Sequence, residues 1–122
     1  MEIKLTNLLR LKELIGDIDM EKAIQFCAGS EEFYIECLKD YSSNGRKENI
    51  EQAYATENWK SYGIEVHTLK GTSRTLGFDK LGDIAEKMQT AAETMDIQYV
   101  KEHNCELIEE FKRILCAIAE CI

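Results

Sequence analysis

His67 is the residue whose type and surroundings most clearly suggest chemistry. Projecting residues 59–76 as a helix, at about 100° per residue, gathers an apolar face of Trp59, Tyr62, Val66, Leu69, Ser73 and Leu76. His67 lies about 100° or more from the centre of that face. Around it, a second face holds Lys60, Gly63, Ile64, Lys70, Gly71 and Arg74. We therefore predict that His67 points into solvent.

The neighbours of His67 suggest an anion site that must stay accessible. Gly63 and Gly71 lie four residues before and after it, where side chains would crowd the imidazole. Glycine inside a helix costs roughly 0.5 to 1 kcal/mol relative to alanine, and clearance around His67 would explain that cost. Lys60, Lys70 and Arg74 form a cationic patch in a chain of net charge −8. A phosphate on the imidazole would be within reach of Lys70, one helical turn away.

The chemistry that fits this pattern is phosphoryl transfer. Imidazole is substantially neutral and nucleophilic near pH 7, so a ring nitrogen can accept an activated phosphoryl group and later return it. The sequence shows no P-loop, no kinase glycine loop and no carboxylate motif for Mg²⁺, so we expect no independent enzymatic activity. The plain alternative, a solvated histidine beside surface lysines, stays open on these residues alone.

The other candidate metal or redox residues are less suggestive. His103 has no metal-binding spacing around it, and the five cysteines include no CxxC pair. We expect His103 to be an ordinary helical residue and the cysteines to be small, mostly buried hydrophobic side chains, with no metal bound. A metal-binding or redox bundle that uses these residues is a less favoured alternative. The cysteines are Cys27, Cys37, Cys105, Cys116 and Cys121.

The chain contains no proline and seven glycines, which favours helices joined by short loops. We predict a helix over 3–15 ended by Gly16, and a short helix over 19–28. Ser30 caps a helix that stops at Asn44-Gly45, and weaker periodicity covers 46–57. Asn58 caps the helix over 59–76, and Gly77 ends it. Asp79 is expected to cap the next helix, and the last follows Asp96. The stripe after Asp79 comprises Leu81, Ile84, Ala85, Met88, Ala91, Ala92 and Met95.

These elements predict an all-α fold, an antiparallel four-helix bundle with additional short N-terminal helices, in a single domain over 1–122. The longest apolar run, residues 114–119, is far shorter than the roughly 20 residues of a membrane-spanning helix. No signal peptide is visible, so we expect a cytoplasmic protein. The acidic charge balance argues against a nucleic-acid partner.

The segment from His67 to Gly77, HTLKGTSRTLG, closely resembles the histidine-phosphotransfer (Hpt) domain motif. In that motif a histidine is followed by lysine at +3, glycine at +4, a small residue at +6, and an apolar residue and glycine at +9 and +10. Every one of these positions matches. The segments 19–24, 30–34 and 58–59 are also similar to the family, so the likeness covers roughly residues 17–120.

The resemblance implies a four-helix bundle whose exposed histidine carries phosphate between the aspartates of receiver domains in a phosphorelay. It implies that His67 is phosphorylated, that Lys70 assists the phosphoryl group and that Gly71 gives the partner room. Gln89 is similar in placement to a polar residue that hydrogen-bonds the imidazole in some members. The expected partners are receiver domains of response regulators or hybrid sensor kinases, which supply Mg²⁺; no small-molecule substrate is expected. The residues expected to bind the partner are Lys60, Gly63, Ile64 and Arg74. The alternative is a helical partner-binding module that is not phosphorylated.

Overall fold

The computed structural model describes the backbone of residues 2–122 and the side chains of residues 7–122. Within that range it contains seven α-helices and no strand. The helices are α1 (Glu2–Ile15), α2 (Met20–Phe26), α3 (Glu31–Ser43), α4 (Arg46–Ala55), α5 (Trp59–Thr75), α6 (Asp79–Glu93) and α7 (Ile97–Cys121).

One hydrophobic core lies between the helices. Around it, α4 packs on α5, α5 on α6, α6 on α7, and α7 on α3. The two N-terminal helices also contribute to this core, with α1 against α7 and α3, and α2 against α5 and α3. The predicted all-α bundle with additional N-terminal helices is confirmed.

The helix ends follow from local sequence at most junctions. Four side chains accept a hydrogen bond from the backbone N–H three residues further on, which satisfies a donor that the first helical turn leaves free; they are Asp19, Ser30, Asn58 and Asp96. After α5, Gly77 adopts a φ of +93°, and a Cβ there would lie 2.6 Å from the carbonyl oxygen of Asp19. Both the backbone conformation and this close approach require glycine.

Two details of the sequence prediction were wrong. Asp79 does not cap α6: it is the first helical residue, the cap position belongs to Phe78, and the Asp79 carboxylate instead accepts hydrogen bonds of 3.0 Å from the Lys22 ammonium. Phe78 takes the cap position because its ring is buried in the core. Met95 does not belong to the buried stripe of α6, because the helix ends at Glu93 and Met95 turns into the left-handed region with 62% of its surface exposed.

The prediction that the cysteines are mostly buried was partly wrong as well. Cys27 and Cys121 are buried and Cys37 is half-buried, whereas Cys105 and Cys116 are exposed on α7. No helix in the described range is long and apolar enough to cross a membrane.

Candidate functional site

Hydrogen bonds from three buried tyrosines fix the position of α5, the helix that carries His67. The Tyr34 hydroxyl donates to the carbonyl oxygen of Leu76 over 2.9 Å, and the Tyr41 and Ser73 hydroxyls share a hydrogen bond of 2.8 Å. Near the other end of α5, the Tyr62 hydroxyl donates to Asn104 on α7 over 2.7 Å. Burial raises the pKa of all three phenols, so they keep their protons across the physiological range. The helix is therefore held from both sides.

The rotation of α5 agrees with the helical projection. Tyr62, Val66, Leu69 and Ser73 are fully buried, Leu76 is nearly so, and Trp59 is half-buried against the core. On the opposite side, His67 is exposed to solvent. The tyrosine contacts hold the helix in this orientation, so the imidazole faces outward.

His67 stands on a ridge between two grooves. The first, which we name the α3–α5 groove, contains His67, Thr68, Gly71, Thr72, Thr75 and Leu76 from α5 and its C-cap, and Phe33, Glu36, Cys37, Asp40, Tyr41 and Asn44 from α3 and its C-cap. The second, the α5–α6 groove, is lined by Trp59, Lys60, Gly63, Ile64, His67, Gln89, Ala92, Glu93 and Met95. Because His67 borders both, any domain that reaches its imidazole must also cover part of these grooves.

The predicted cationic patch divides into free and engaged residues. Lys60 is exposed and Lys70 is half-buried, and neither forms an ion pair or a side-chain hydrogen bond among the described side chains. Arg74, in contrast, donates hydrogen bonds to Asp83 over 2.9 Å and to Glu86 over 3.2 Å. These two carboxylates on α6 raise the pKa of its guanidinium. The Arg74 charge is therefore already balanced across the α5–α6 contact, while the two lysines remain available to an anion.

The two glycines that bracket His67 occupy different environments. Gly71 is exposed, and a Cβ added there would meet nothing within 4 Å beyond its own helix and chain neighbours. Gly63 is buried against α6, and a Cβ there would lie 3.6 Å from the Cβ of Ala92, an ordinary contact distance. Open space beside His67 is therefore found at Gly71, whereas Gly63 lies where α5 packs on α6.

Comparison with known families places this helical chain beside one of them. The model of the Hpt domain family matches residues 41–120, which is about two thirds of the sequence. The matched segment includes His67 and all of α5 and α6. The chain belongs to the Hpt domain family. The match begins later than the likeness noted from sequence, which extended to residue 17. A search of curated proteins and a search of solved structures each gave no match.

Membership of the family determines the general activity. Hpt domains transfer phosphoryl groups by way of a histidine in phosphorelays, and they are phosphocarriers rather than catalytic kinase domains. They typically exchange these groups with receiver domains.

Gln89 of this Hpt domain lines the same groove as His67 but is bonded elsewhere. Its Nε2 donates a hydrogen bond of 2.7 Å to Glu93, one turn further along α6. No hydrogen bond joins Gln89 to His67 in the described part of the chain. The Gln89 Oε1 is buried and has no hydrogen-bond partner there. A buried acceptor without a donor is unusual in a folded protein.

The surface around His67 includes residues that were not predicted to belong to the site. Phe33 and Met95 expose 54% and 62% of their surfaces, and they lie in the α3–α5 groove and the α5–α6 groove respectively. Glu36 and Asp40 line the α3–α5 groove together with Phe33. The three α3 residues could have been found from the sequence. Phe33, Glu36 and Asp40 have helical spacing on the side of α3 opposite its buried stripe.

His103 lies in the second turn of α7 and lines neither groove. Its ring packs on Tyr99, with the ring centroids 4.2 Å apart, and its Nδ1 lies 3.6 Å from Glu106. Among the described residues, no three His, Cys, Asp or Glu side chains gather as metal ligands would.

Proposed function

We propose that this Hpt domain carries its phosphoryl group on His67, accepting it from the aspartyl phosphate of one receiver domain and passing it to the aspartate of another. The observation that carries the proposal is the placement of His67, exposed on a ridge with a free lysine one turn away and open space at Gly71. The fold alone does not indicate which residue carries the phosphoryl group, whereas this arrangement of groups supports His67.

The proposed reaction needs only one nucleophile from this chain. A lone pair on one ring nitrogen of His67 forms a bond to phosphorus, while the bond between phosphorus and the receiver's aspartate oxygen breaks. The aspartate leaves as a carboxylate with that electron pair, and the imidazole keeps a proton on its other nitrogen. The same steps in reverse deliver the group to the next receiver. We place the Mg²⁺ that stabilises the aspartyl phosphate in the receiver rather than in this chain.

Lys70 and Gln89 have distinct proposed parts in this reaction. The Lys70 ammonium, three residues after His67, stabilises the negative charge of the phosphoryl oxygens. The Gln89 amide lines the same groove as His67; after its side chain turns away from Glu93, its oxygen accepts the N–H of the imidazole and so orients the ring. Lys60 and Ile64 contact the docked receiver, since both line the α5–α6 groove beside His67. Gly63 lines the same groove and leaves room there for the receiver. Arg74 supports this surface through its ion pairs with Asp83 and Glu86 on α6.

The proposal is tested by incubating the purified chain with a panel of phosphorylated receiver domains. We expect an acid-labile, base-stable label on the wild-type chain and none on His67→Gln. His103→Gln is the matched control and should be labelled like the wild type. Full labelling of His67→Gln would show that another residue carries the phosphate. Binding of a receiver without any label on the wild type would instead support a partner-binding module.

A further inference from the structure

The two grooves beside His67 differ in charge. The α3–α5 groove is lined by two carboxylates, Glu36 and Asp40, and by no lysine or arginine. The α5–α6 groove contains Lys60 as well as Glu93. A partner that covers His67 therefore meets negative charge on the α3 side and mixed charge on the α6 side.

The carboxylates of the α3–α5 groove are available to a partner. Asp40 is exposed and forms no hydrogen bond or ion pair among the described side chains. Glu36 lies 3.6 Å from Lys39, but both side chains are more than half exposed, and such a pair contributes little. On α6 the situation differs, because Asp83 and Glu86 are bound by Arg74, and Glu93 accepts from Gln89.

The same groove also offers an apolar contact next to these charges. Phe33 is about half exposed, and Cys37, Tyr41 and Leu76 line the same groove. Exposed aromatic rings beside charged groups are typical of surfaces that bind a protein partner. A partner that fits this groove would present apolar side chains flanked by lysine or arginine. Because His67 lies at the edge of the groove, that partner is the phosphoryl donor or acceptor.

We propose that Glu36 and Asp40 are specificity-determining residues that select receiver domains carrying lysine or arginine opposite α3. This inference rests on the proposed phosphoryl transfer through His67. Opposite charges across an interface accelerate encounter and fix the register of docking, whereas like charges exclude the wrong partner. The effect is therefore on how often a receiver docks productively and not on the chemical step at the imidazole.

Charge reversal at these two positions tests the inference. The variants are Asp40→Lys and the double variant Glu36→Lys/Asp40→Lys. For each receiver that phosphorylates the wild type, we expect the double variant to lower kcat/KM for transfer by about tenfold or more at low salt, with kcat little changed. Asp40→Asn should give a smaller decrease, because it removes the attraction without adding repulsion. Receivers that present acidic residues on the docking surface should gain activity with the double variant.

The matched control for Asp40→Lys is Glu102→Lys, which makes the same charge change at an exposed position on α7. It should alter kcat/KM less than twofold. Circular dichroism and thermal unfolding of each variant show that it is folded. If wild type is labelled on His67 but Asp40→Lys transfers like Glu102→Lys and the double variant transfers like wild type, the specificity role is overturned while the proposed function stands. If wild type accepts phosphate from no receiver, both proposals fail together.

Discussion

Lys70 has the charge and position of a group that acts on phosphate, and it has no described partner that would give it a structural task. It is half-buried on α5, one turn from His67, and forms no ion pair among the described side chains. We expect Lys70→Ala to slow transfer roughly 10- to 100-fold, because an ammonium that stabilises phosphoryl charge is lost. Its free energy of unfolding should change by no more than roughly 0.5 kcal/mol. Single-turnover transfer and urea unfolding measure the two quantities, and a destabilised variant with unchanged transfer would make Lys70 structural.

Substitutions at Gly71 can separate the effect on receiver access from the effect on the stability of the fold. A Cβ at this position meets open space, so Gly71→Ala should leave the free energy of unfolding unchanged or raise it by up to roughly 1 kcal/mol. Gly71→Gln should fold as well but transfer poorly, since its side chain fills space that an incoming receiver needs.

Gly63→Ala is the informative comparison for Gly71. Its Cβ would contact Ala92 at an ordinary distance, so we expect this variant to be folded and no less stable than the wild type. Wild-type transfer rates in Gly71→Gln would refute the role of open space, and strong destabilisation by Gly71→Ala would point to helix packing instead. Thermal unfolding and transfer rates on the three variants decide between these outcomes.

The site was predictable from sequence only where it depends on one helix. The exposure of His67 and the burial of Tyr62 and Leu69 follow from the helical period alone. The engagement of Arg74 by Asp83, the burial of Gly63 and the bond from Gln89 to Glu93 all depend on how α6 lies against α5 or on choices of rotamer. Local sequence does not encode those distances. The sequence therefore predicted a single cationic patch, whereas in the structure Lys60 and Lys70 are free and Arg74 is paired.

The ends of the helices show the same division between local and tertiary control. Ser30 and Asn58 were predicted as caps, and helices were predicted to begin at Asp19 and after Asp96. All four side chains accept a hydrogen bond from the backbone three residues further on, since capping is local. Asp79 was predicted wrongly because a buried neighbour, Phe78, sets where α6 begins.

Comparison of two aspartates tests this account of the caps. Asp96 accepts a hydrogen bond from the Tyr99 backbone, so Asp96→Ala should lower the free energy of unfolding by about 1 kcal/mol. Asp79 forms only a partly exposed pair with Lys22, so Asp79→Ala should cost less, about 0.5 kcal/mol or below. Chemical denaturation of both variants measures the difference. Equal losses would mean that the Asp79–Lys22 pair stabilises the contact between α2 and α6 as strongly as a cap.

The packing of the whole bundle places the five cysteines in three environments, which the sequence did not distinguish. Their helical positions were readable, but whether an outward position on α7 is covered depends on where α1 and α6 pack against it. Cys105 and Cys116 remain exposed, Cys37 is half-buried, and Cys27 and Cys121 are covered. Burial raises the pKa of the Cys27 and Cys121 thiols, and the neighbouring Cys37 adds to the increase at Cys27.

These environments predict the order in which the thiols react with a disulfide reagent. The thiolate is the reactive form, so a covered thiol with a raised pKa is slowed both by lack of access and by a small thiolate fraction. At about pH 8, near the ordinary thiol pKa, Cys105 and Cys116 should react first, Cys37 more slowly, and Cys27 and Cys121 only as the bundle opens. All five should react quickly in denaturant. Mass spectrometry of partly labelled protein identifies the modified positions. Fast labelling of Cys27 or Cys121 in the native protein would mean that α2 or the end of α7 detaches from the bundle far more often than this packing allows.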